Sequence, residues 1–367
     1  DTIVIGAGFA GLAAIHHLRE AGLSVKVFDK AADIGGTWTW NRYPGARCDI
    51  PTVEYSYSFD KELEQSWDWQ ELMAAQPEIL TYANQVADNY DLRDSMRFNT
   101  RVASADFDEN ENSWTVVTDT GDEYLARYFI MATGCLSVPN WPDIEGREDY
   151  AGRTIHTGLW PHEKVDFTGL RVGIIGTGSS AVQSIPEIAK TAKELKVFQR
   201  TPVYTFPAGN HPLDDDFRAD IKARYEDIRE TQRGSLGGMA MFGVMGRLQE
   251  VGTEKIADCS EEEREQRLVE EGLPSLRRYA DVGLDLEANE MACDLYRRHI
   301  ADIIDDPETA KALMPRGYPM GCKRQVVDIG YYEAFNRDNV SLIDLREDPI
   351  ERINESGVCT AGGQHDV

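Results

Sequence analysis

Two stretches of this 367-residue chain share one grammar, and together they restrict the fold more than anything else in it. The chain opens on "TIVIGAGFAGLAAIHHLREAGLSVKVFDK". It reads as an apolar strand over residues 2–5, the spacing G-x-G-x-x-G at Gly6, Gly8 and Gly11, an amphipathic helix over 10–21, and a second strand over 25–28 that runs into Asp29 and Lys30. "LRVGIIGTGSSAVQSIPEIAKTAKELKVFQRTP" repeats the pattern. A strand over 170–175 leads to a turn at Gly176, Thr177 and Gly178, Ser179 and Ser180 open a helix, Ala181 replaces the third glycine, and a strand over 195–198 ends in Gln199-Arg200-Thr201. Such a unit needs glycine where the turn is tightest, where the backbone approaches a pyrophosphate, and where the helix packs on the strand. The helix that follows, led by Phe9 and Ala10 in the first copy, presents free N–H groups and the positive end of its dipole to the phosphates. Glycines alone are a weak signal; strand, glycines, helix, strand and terminal acid in order are a strong one. The fold class expected is therefore α/β, with two Rossmann-like dinucleotide-binding domains and a helical insertion in the second.

The two units differ where a ribose would lie. Asp29 is placed to accept hydrogen bonds from ribose hydroxyls. At the same offset the second unit has Gln199, and Arg200 follows it. A carboxylate there repels a 2′-phosphate, whereas a guanidinium pairs with one through two hydrogen bonds. The first site is read as FAD and the second as NADPH. "YFIMATG" at residues 128–134 supports FAD: a short apolar strand ending in a small-residue turn at Gly134 returns the chain to the nucleotide in flavoproteins with two dinucleotide sites.

Composition removes other classes. The net charge of −26 disfavours nucleic acid and anionic membrane as partners. Apolar residues make up 41% and the mean hydropathy is −0.45, with no run as long as the ~20 residues of a membrane span. The chain opens directly on a strand, so any targeting peptide is expected either to have been removed or never to have been there. The six cysteines are scattered and none form a CxxC pair, so no zinc site and no disulfide framework is expected. A cytoplasmic protein with reduced thiols, no metal and no protein partner is the reading.

Disulfide reductases share the double arrangement, but they need a redox-active cysteine pair soon after the first unit. Here "DIGGTWTWNRYPGARCDIPTVEYSYSF" has Cys48 alone, which disfavours that class. "GGTWTWNRYPGARCD" together with "YAGRTIHTGLWP" resembles the Baeyer–Villiger monooxygenases, class B flavoprotein monooxygenases of which the phenylacetone, steroid and cyclohexanone enzymes are members. The fingerprint of that family is matched by Tyr150, Gly152, His156, Trp160 and Pro161, with Tyr in place of the more frequent Phe. "GCKRQVVDIGYYEAFNRDNVSLID" continues the likeness, which covers the chain and is weakest over residues 210–307.

The resemblance implies an enzyme that uses FAD, NADPH and O2 to convert ketones to esters or lactones by way of a flavin peroxide. It makes Arg324 the cation that faces negative oxygen, and Asp49 the carboxylate that orients it. A guanidinium stays protonated throughout, which suits that task. Lys323 and Thr201 would join Arg200 around the NADP phosphate. Gly35, Gly36, Thr37 and Trp38 would run against the flavin, with Trp40, Tyr55, Val102 and Gln76 near it or the nicotinamide. His156 would be a conformational residue governing domain movement rather than a proton donor. The bland readings are a satisfied buried histidine for His156, a solvated basic pair for Lys323-Arg324, a capping aspartate for Asp49, and core packing for the tryptophans.

The organisation expected is an FAD domain over residues 1–136, with a long helix near 69–90 and a strand meander over 97–131. An NADP domain follows over 137–211, interrupted by a helical insertion over 212–315 and resumed over 316–367. The insertion holds "RGSLGGMAMFGVMG", read as a mobile flap or a packing surface. A second FAD-domain segment, which the family carries after this point, is expected to be absent. The competing readings are a class B monooxygenase that oxygenates nitrogen or sulfur, and a catalytically incomplete nucleotide-binding fragment.

Overall fold

The computed structural model describes residues 1–235, 252–323 and 326–367. By its contacts the chain divides into two compact units. One comprises Asp1–Tyr43, Ala75–Pro142 and Ile155–Lys164, the other Pro44–Ala74, Asp143–Thr154 and Val165–Val367.

The first unit is built on a four-stranded parallel sheet in the order Met96–Arg97, Val25–Phe28, Thr2–Ile5, Tyr128–Met131. The Thr2–Ile5 strand is a nearly continuous apolar run because both of its faces are covered; Val4, Val27 and Phe28 are fully buried, while Lys26 in the neighbouring strand is exposed. The Phe9–Glu20 helix buries Gly11, Leu12 and Ile15. The Gln76–Asn89 helix buries Ile79, Tyr82, Ala83, Val86 and Ala87, the spacing of one helical face. A three-stranded antiparallel meander, Val102–Asp108, Ser113–Thr118 and Glu123–Ala126, packs Val116 and Ala126 against Ile3 and Phe28.

The expected long helix near 69–90 is shorter than the sequence reading had it. It starts at Gln76 with Pro77 in its first turn, a position that suits proline because its missing N–H would be unpaired there. Residues 67–75 before it form no regular element. The Leu72 amide donates to His211 O at 3.1 Å, and Leu72 O accepts from the Thr52 amide at 2.7 Å. These bonds also explain why Pro44–Ala74 packs within the second unit, where the sequence reading carried the first domain unbroken to Leu136.

The second unit repeats the parallel arrangement, with Val340–Asp344, Glu194–Gln199 and Arg171–Ile175 side by side. The Ser179–Ala189 helix is buried along most of its length. Four α-helices follow among the described residues: Asp215–Gly234, Glu261–Glu271, Leu286–Ile303 and Pro307–Leu313. The Glu261–Glu271 helix starts with a capping box between Ser260 and Glu263. A short parallel pair, Thr205–Pro207 and Val326–Asp328, returns the chain from this region. The glycine- and methionine-rich stretch lies outside the described residues from 236 onward. An antiparallel sheet of Ile350–Asn354, Gly357–Thr360 and Gly363–Asp366 closes the chain and was not expected from the sequence.

Candidate functional site

In the first unit, Gly6 has φ +106°, and a Cβ there would sit 2.5 Å from Ala132 O. A Cβ on Gly11 would sit 1.9 Å from Gly6 O, so the helix crosses the strand at a distance only glycine permits. Gly8 faces Gly36: a Cβ on Gly36 would lie 2.8 Å from the Gly8 Cα. The Gly35–Trp40 loop is thereby held against the glycine turn. Asp29 anchors the turn from behind, accepting from the Ala7 amide at 2.6 Å and the Ala31 amide at 2.8 Å. Both carboxylate oxygens keep lone pairs for ribose hydroxyls. Lys30 is exposed and donates to Ser137 O at 2.8 Å, beside the Gly134 turn.

The electrostatics of the helix starts are selective. The helices that begin at Lys61, Asp215, Glu261, Leu286 and Pro307 are each capped by an Asp or Ser side chain and carry acid in their first turn. The Phe9–Glu20 and Ser179–Ala189 helices have glycine N-caps, no side-chain cap and no acid in the first turn. Among the described helices of eight residues or more, those two alone combine an uncapped N-terminus with an acid-free first turn, since Gln76–Asn89 also lacks a side-chain cap but carries Glu78 there. In a chain this acidic they present their N–H groups to an outside anion. The arrangement fits one phosphate-bearing nucleotide per unit.

The second turn is more open. Gly176 has φ +101°, and a Cβ on Gly176 or Gly178 would meet nothing within 4 Å. The Thr177 hydroxyl donates to Thr201 O at 3.1 Å, tying the turn to the strand-end loop. Ser179 and Ser180 are half-buried at the helix start. Gln199 does not reach a ribose position. It is fully buried and its amide donates to Ala312 O at 2.8 Å, so Arg200, which is exposed, is the first side chain available there. Lys323 is exposed, with its ammonium 4.4 Å from the centre of the Tyr318 ring. Burial pushes the Tyr318 hydroxyl up to about 12, so it is a donor at neutral pH.

The fingerprint stretch is divided between the units. Tyr150 folds its ring over Gly152, where a Cβ would lie 2.4 Å from the ring, and donates its hydroxyl to Val367 O at 2.8 Å. His156 accepts from the Gly158 amide through Nδ1 at 3.0 Å and caps the short Thr157–Leu159 turn. Its ring meets Trp141 edge-on at 4.9 Å. That is the geometry of a positioning residue, and its Nδ1 is not available as a proton donor. Trp160 is buried; its amide donates to Trp40 O at 3.2 Å and its ring packs on Tyr43. Pro161 follows it, half-buried.

The Gly35–Trp40 loop is pinned from inside. Gln76 is buried, and its side-chain amide donates to Trp38 O. Gln76 thus shapes the loop that holds Gly36 and Thr37. Trp38 is itself 8% exposed and belongs to the core, while Trp40 is half-buried, with the Lys30 ammonium 5.7 Å from its ring centre. Val102, half-buried at the start of its strand, packs with the meander core. Tyr55 lies half-buried in the second unit.

Asp49 is half-buried in that unit too. Its segment is stitched to the strand that follows Arg324 by successive backbone bonds: the Cys48 amide to Ala74 O at 3.0 Å, the Leu72 amide to His211 O, and the Ala208 amide to Asp328 O at 2.8 Å. Arg324 lies outside the described residues. Cys48 is free and buried, and all six cysteines are free. Among the described residues the one cluster of possible metal ligands is His16, His17 and Glu20 at the far end of the Phe9–Glu20 helix. No described helix is long and apolar enough to cross a membrane.

The family model for pyridine nucleotide-disulphide oxidoreductases matches residues 3–241. A Baeyer–Villiger monooxygenase of Pseudooceanicola batsensis is 42% identical over all of this chain and 67% of its own length. The chain belongs to the Baeyer–Villiger monooxygenases. A solved steroid monooxygenase bound to NADP is 48% identical, with a TM-score of 0.91 over all of this chain and 69% of that one. A phenazine N-monooxygenase of Lysobacter antibioticus is 40% identical over 99% of this chain and 66% of its own length. This Baeyer–Villiger monooxygenase chain thus spans about two thirds of the length of the curated relatives it matches. A solved OTEMO complex with FAD and NADP is 37% identical, with a TM-score of 0.89 over all of this chain and 69% of that one.

Proposed function

We propose that this chain carries the nucleotide sites of an enzyme that inserts one atom of O2 beside the carbonyl of a small ketone, giving an ester or lactone, with NADPH as reductant. The first unit binds FAD through Gly6, Gly8, Gly11, Asp29 and the Gly36–Trp40 loop. The second binds NADPH through Gly176, Gly178, Arg200, Thr201 and Lys323. The observation that carries the reading is the bond between the Trp160 amide and Trp40 O, which joins the fingerprint tryptophan to the loop packed against the Gly8 turn. A cytoplasmic location accompanies the reading.

FAD, when bound and reduced, supplies activated oxygen. The residues do the rest. The Arg324 guanidinium stays positive beside the negative charge that develops on oxygen. Asp49 orients it and offsets its charge. His156 holds the short turn before Trp160, and so the shape of the loop, rather than moving a proton. The backbone ladder from Cys48 to Asp328 supports the Asp49–Arg324 pairing.

The test is product formation by the FAD-loaded enzyme given NADPH, O2 and a panel of cyclic, aryl and linear ketones. A product one oxygen heavier is expected. The Arg324→Ala variant still lets NADPH reduce the flavin but loses about 10²–10³-fold in ester formation, the scale of removing one oxyanion donor. Hydrogen peroxide as the sole product with every ketone would refute the assignment. The phenazine N-monooxygenase relative favours one second reading, oxygenation of an aromatic nitrogen. Adding an N-heteroaromatic to the panel separates the two, because only the second reading yields an N-oxide in preference to an ester.

A further inference from the structure

Arg200 and Lys323 are far apart in sequence, both exposed, and among the described residues neither forms an ion pair with a carboxylate. Tyr318 connects them. Its hydroxyl donates to Pro202 O at 2.5 Å, in the loop that carries Arg200 and Thr201. Its ring face holds the Lys323 ammonium at 4.4 Å. The Tyr318 residue is itself fixed by Tyr204, whose hydroxyl donates to Tyr318 O at 3.3 Å and whose ring meets it edge-on at 5.3 Å.

We propose that Tyr318 is a positioning residue for the 2′-phosphate of NADPH: it fixes the Lys323 ammonium and the Arg200–Thr201 loop as one two-sided anion clamp, and thereby sets the preference for NADPH over NADH. The inference rests on the reading of Arg200, Thr201 and Lys323 as the phosphate's ligands. The physical reason is preorganisation. A lysine side chain is long and flexible, and ordering it on a ligand carries an entropic cost. The aromatic face holds the ammonium through its quadrupole without using its N–H donors, so all of them remain for phosphate oxygens. The hydroxyl bond to Pro202 couples the lysine's position to the loop across from it. Gly317 and Gly321, both at positive φ, bracket Tyr318 in a turn that brings ring and ammonium together.

The role makes a prediction that packing alone does not. NADH lacks the phosphate, so a clamp residue changes the ratio of kcat/KM for NADPH to that for NADH, while a packing residue lowers both together. The experiment measures that ratio in the FAD-loaded enzyme for Tyr318→Phe, Tyr318→Leu and Lys323→Ala, with flavin content and melting temperature beside it. Tyr318→Phe keeps the ring and loses one hydrogen bond, so the ratio falls about threefold. Tyr318→Leu loses the ring as well, and the ratio falls about tenfold through the KM for NADPH, with kcat unchanged. The double variant Tyr318→Leu/Lys323→Ala falls below Lys323→Ala by no more than the about threefold of Tyr318→Phe, because the ring acts through the ammonium and only the hydroxyl acts through the loop. If Lys323→Ala lowers the ratio and both Tyr318 variants leave it unchanged, the positioning role is overturned and the phosphate reading stands. If Lys323→Ala itself leaves the ratio unchanged, the phosphate reading of Lys323 fails and the clamp with it. Tyr318→Phe keeps the test decisive should the leucine variant not fold.

Discussion

At the scale of single residues, the glycines carry the strongest constraints. Gly11 was legible from spacing alone, and the structure supplies the cause: Gly6 O stands where a side chain would start. Gly11→Ala therefore separates the helix from the strand it packs on and costs about 1–3 kcal/mol or more as overpacking. The purified variant is expected to carry little bound flavin, read from its visible absorbance; a normal flavin content would contradict the packing account. Arg200 is read from the sequence as a ligand of the phosphate, and the structure leaves it exposed for that proposed role. The sequence placed Gln199 at the ribose position, whereas Gln199 is buried against Ala312 O and leaves that place to Arg200. Arg200→Ala is expected to raise the KM for NADPH about tenfold or more, the loss of a charge-assisted pair, with little change for NADH. Equal effects on both cofactors would mean that Arg200 does not meet the phosphate. The contributions of Gln76 and His156 to shaping loops were out of reach of the sequence, because a hydrogen bond from Gln76 to a backbone carbonyl across 38 residues has no periodic signature.

At the scale of elements, the strands and helices of the two glycine units lie where their hydrophobic patterns put them, and the Phe9–Glu20 and Ser179–Ala189 helices each bury an apolar face. The segment from residue 44 to 74 did not declare itself. It has little regular structure and is held by backbone bonds to residues distant in sequence. One buried ion pair does much to hold it. Arg229, on the Asp215–Gly234 helix, meets Glu64, on the short Lys61–Ser66 helix, at 2.9 Å, and both side chains are under 5% exposed. Arg229 also donates to Ser56 at 2.8 Å. Arg229→Ala leaves the Glu64 carboxylate buried with only the more exposed Lys61 beside it. A destabilisation of about 3–5 kcal/mol is expected, seen as a lower thermal midpoint. Replacing both residues by Met and Leu is expected to recover much of it, and failure of that double variant to recover would place the deficit in the Ser56 contact instead. The terminal antiparallel sheet escaped the sequence reading because its strands are short and half polar. Its turns at Glu355-Ser356 and Ala361-Gly362, each followed by a glycine, were the available signal.

At the scale of the molecule, charge is the dominant property. A net charge of −26 repels itself, and salt screens that repulsion. The melting temperature is expected to rise between about 0.05 and 0.5 M sodium chloride, over which the screening length shrinks severalfold. A fall over that range would mean that the many surface ion pairs outweigh the repulsion. The same acidity gives meaning to the two glycine-capped helices that keep acids out of their first turns. They and the exposed Arg200 and Lys323 are among the places where the described surface invites anions. The family's double nucleotide plan, legible in the sequence, is thus also written in the distribution of charge. The measurement that tests the central claim most directly is oxygen tracing: the FAD-loaded enzyme is given NADPH, a ketone substrate and ¹⁸O₂, and the product is weighed by mass spectrometry. One labelled oxygen per ester, with one NADPH consumed for each, is the predicted result. An unlabelled product, or NADPH consumed with all the label in hydrogen peroxide, would contradict it.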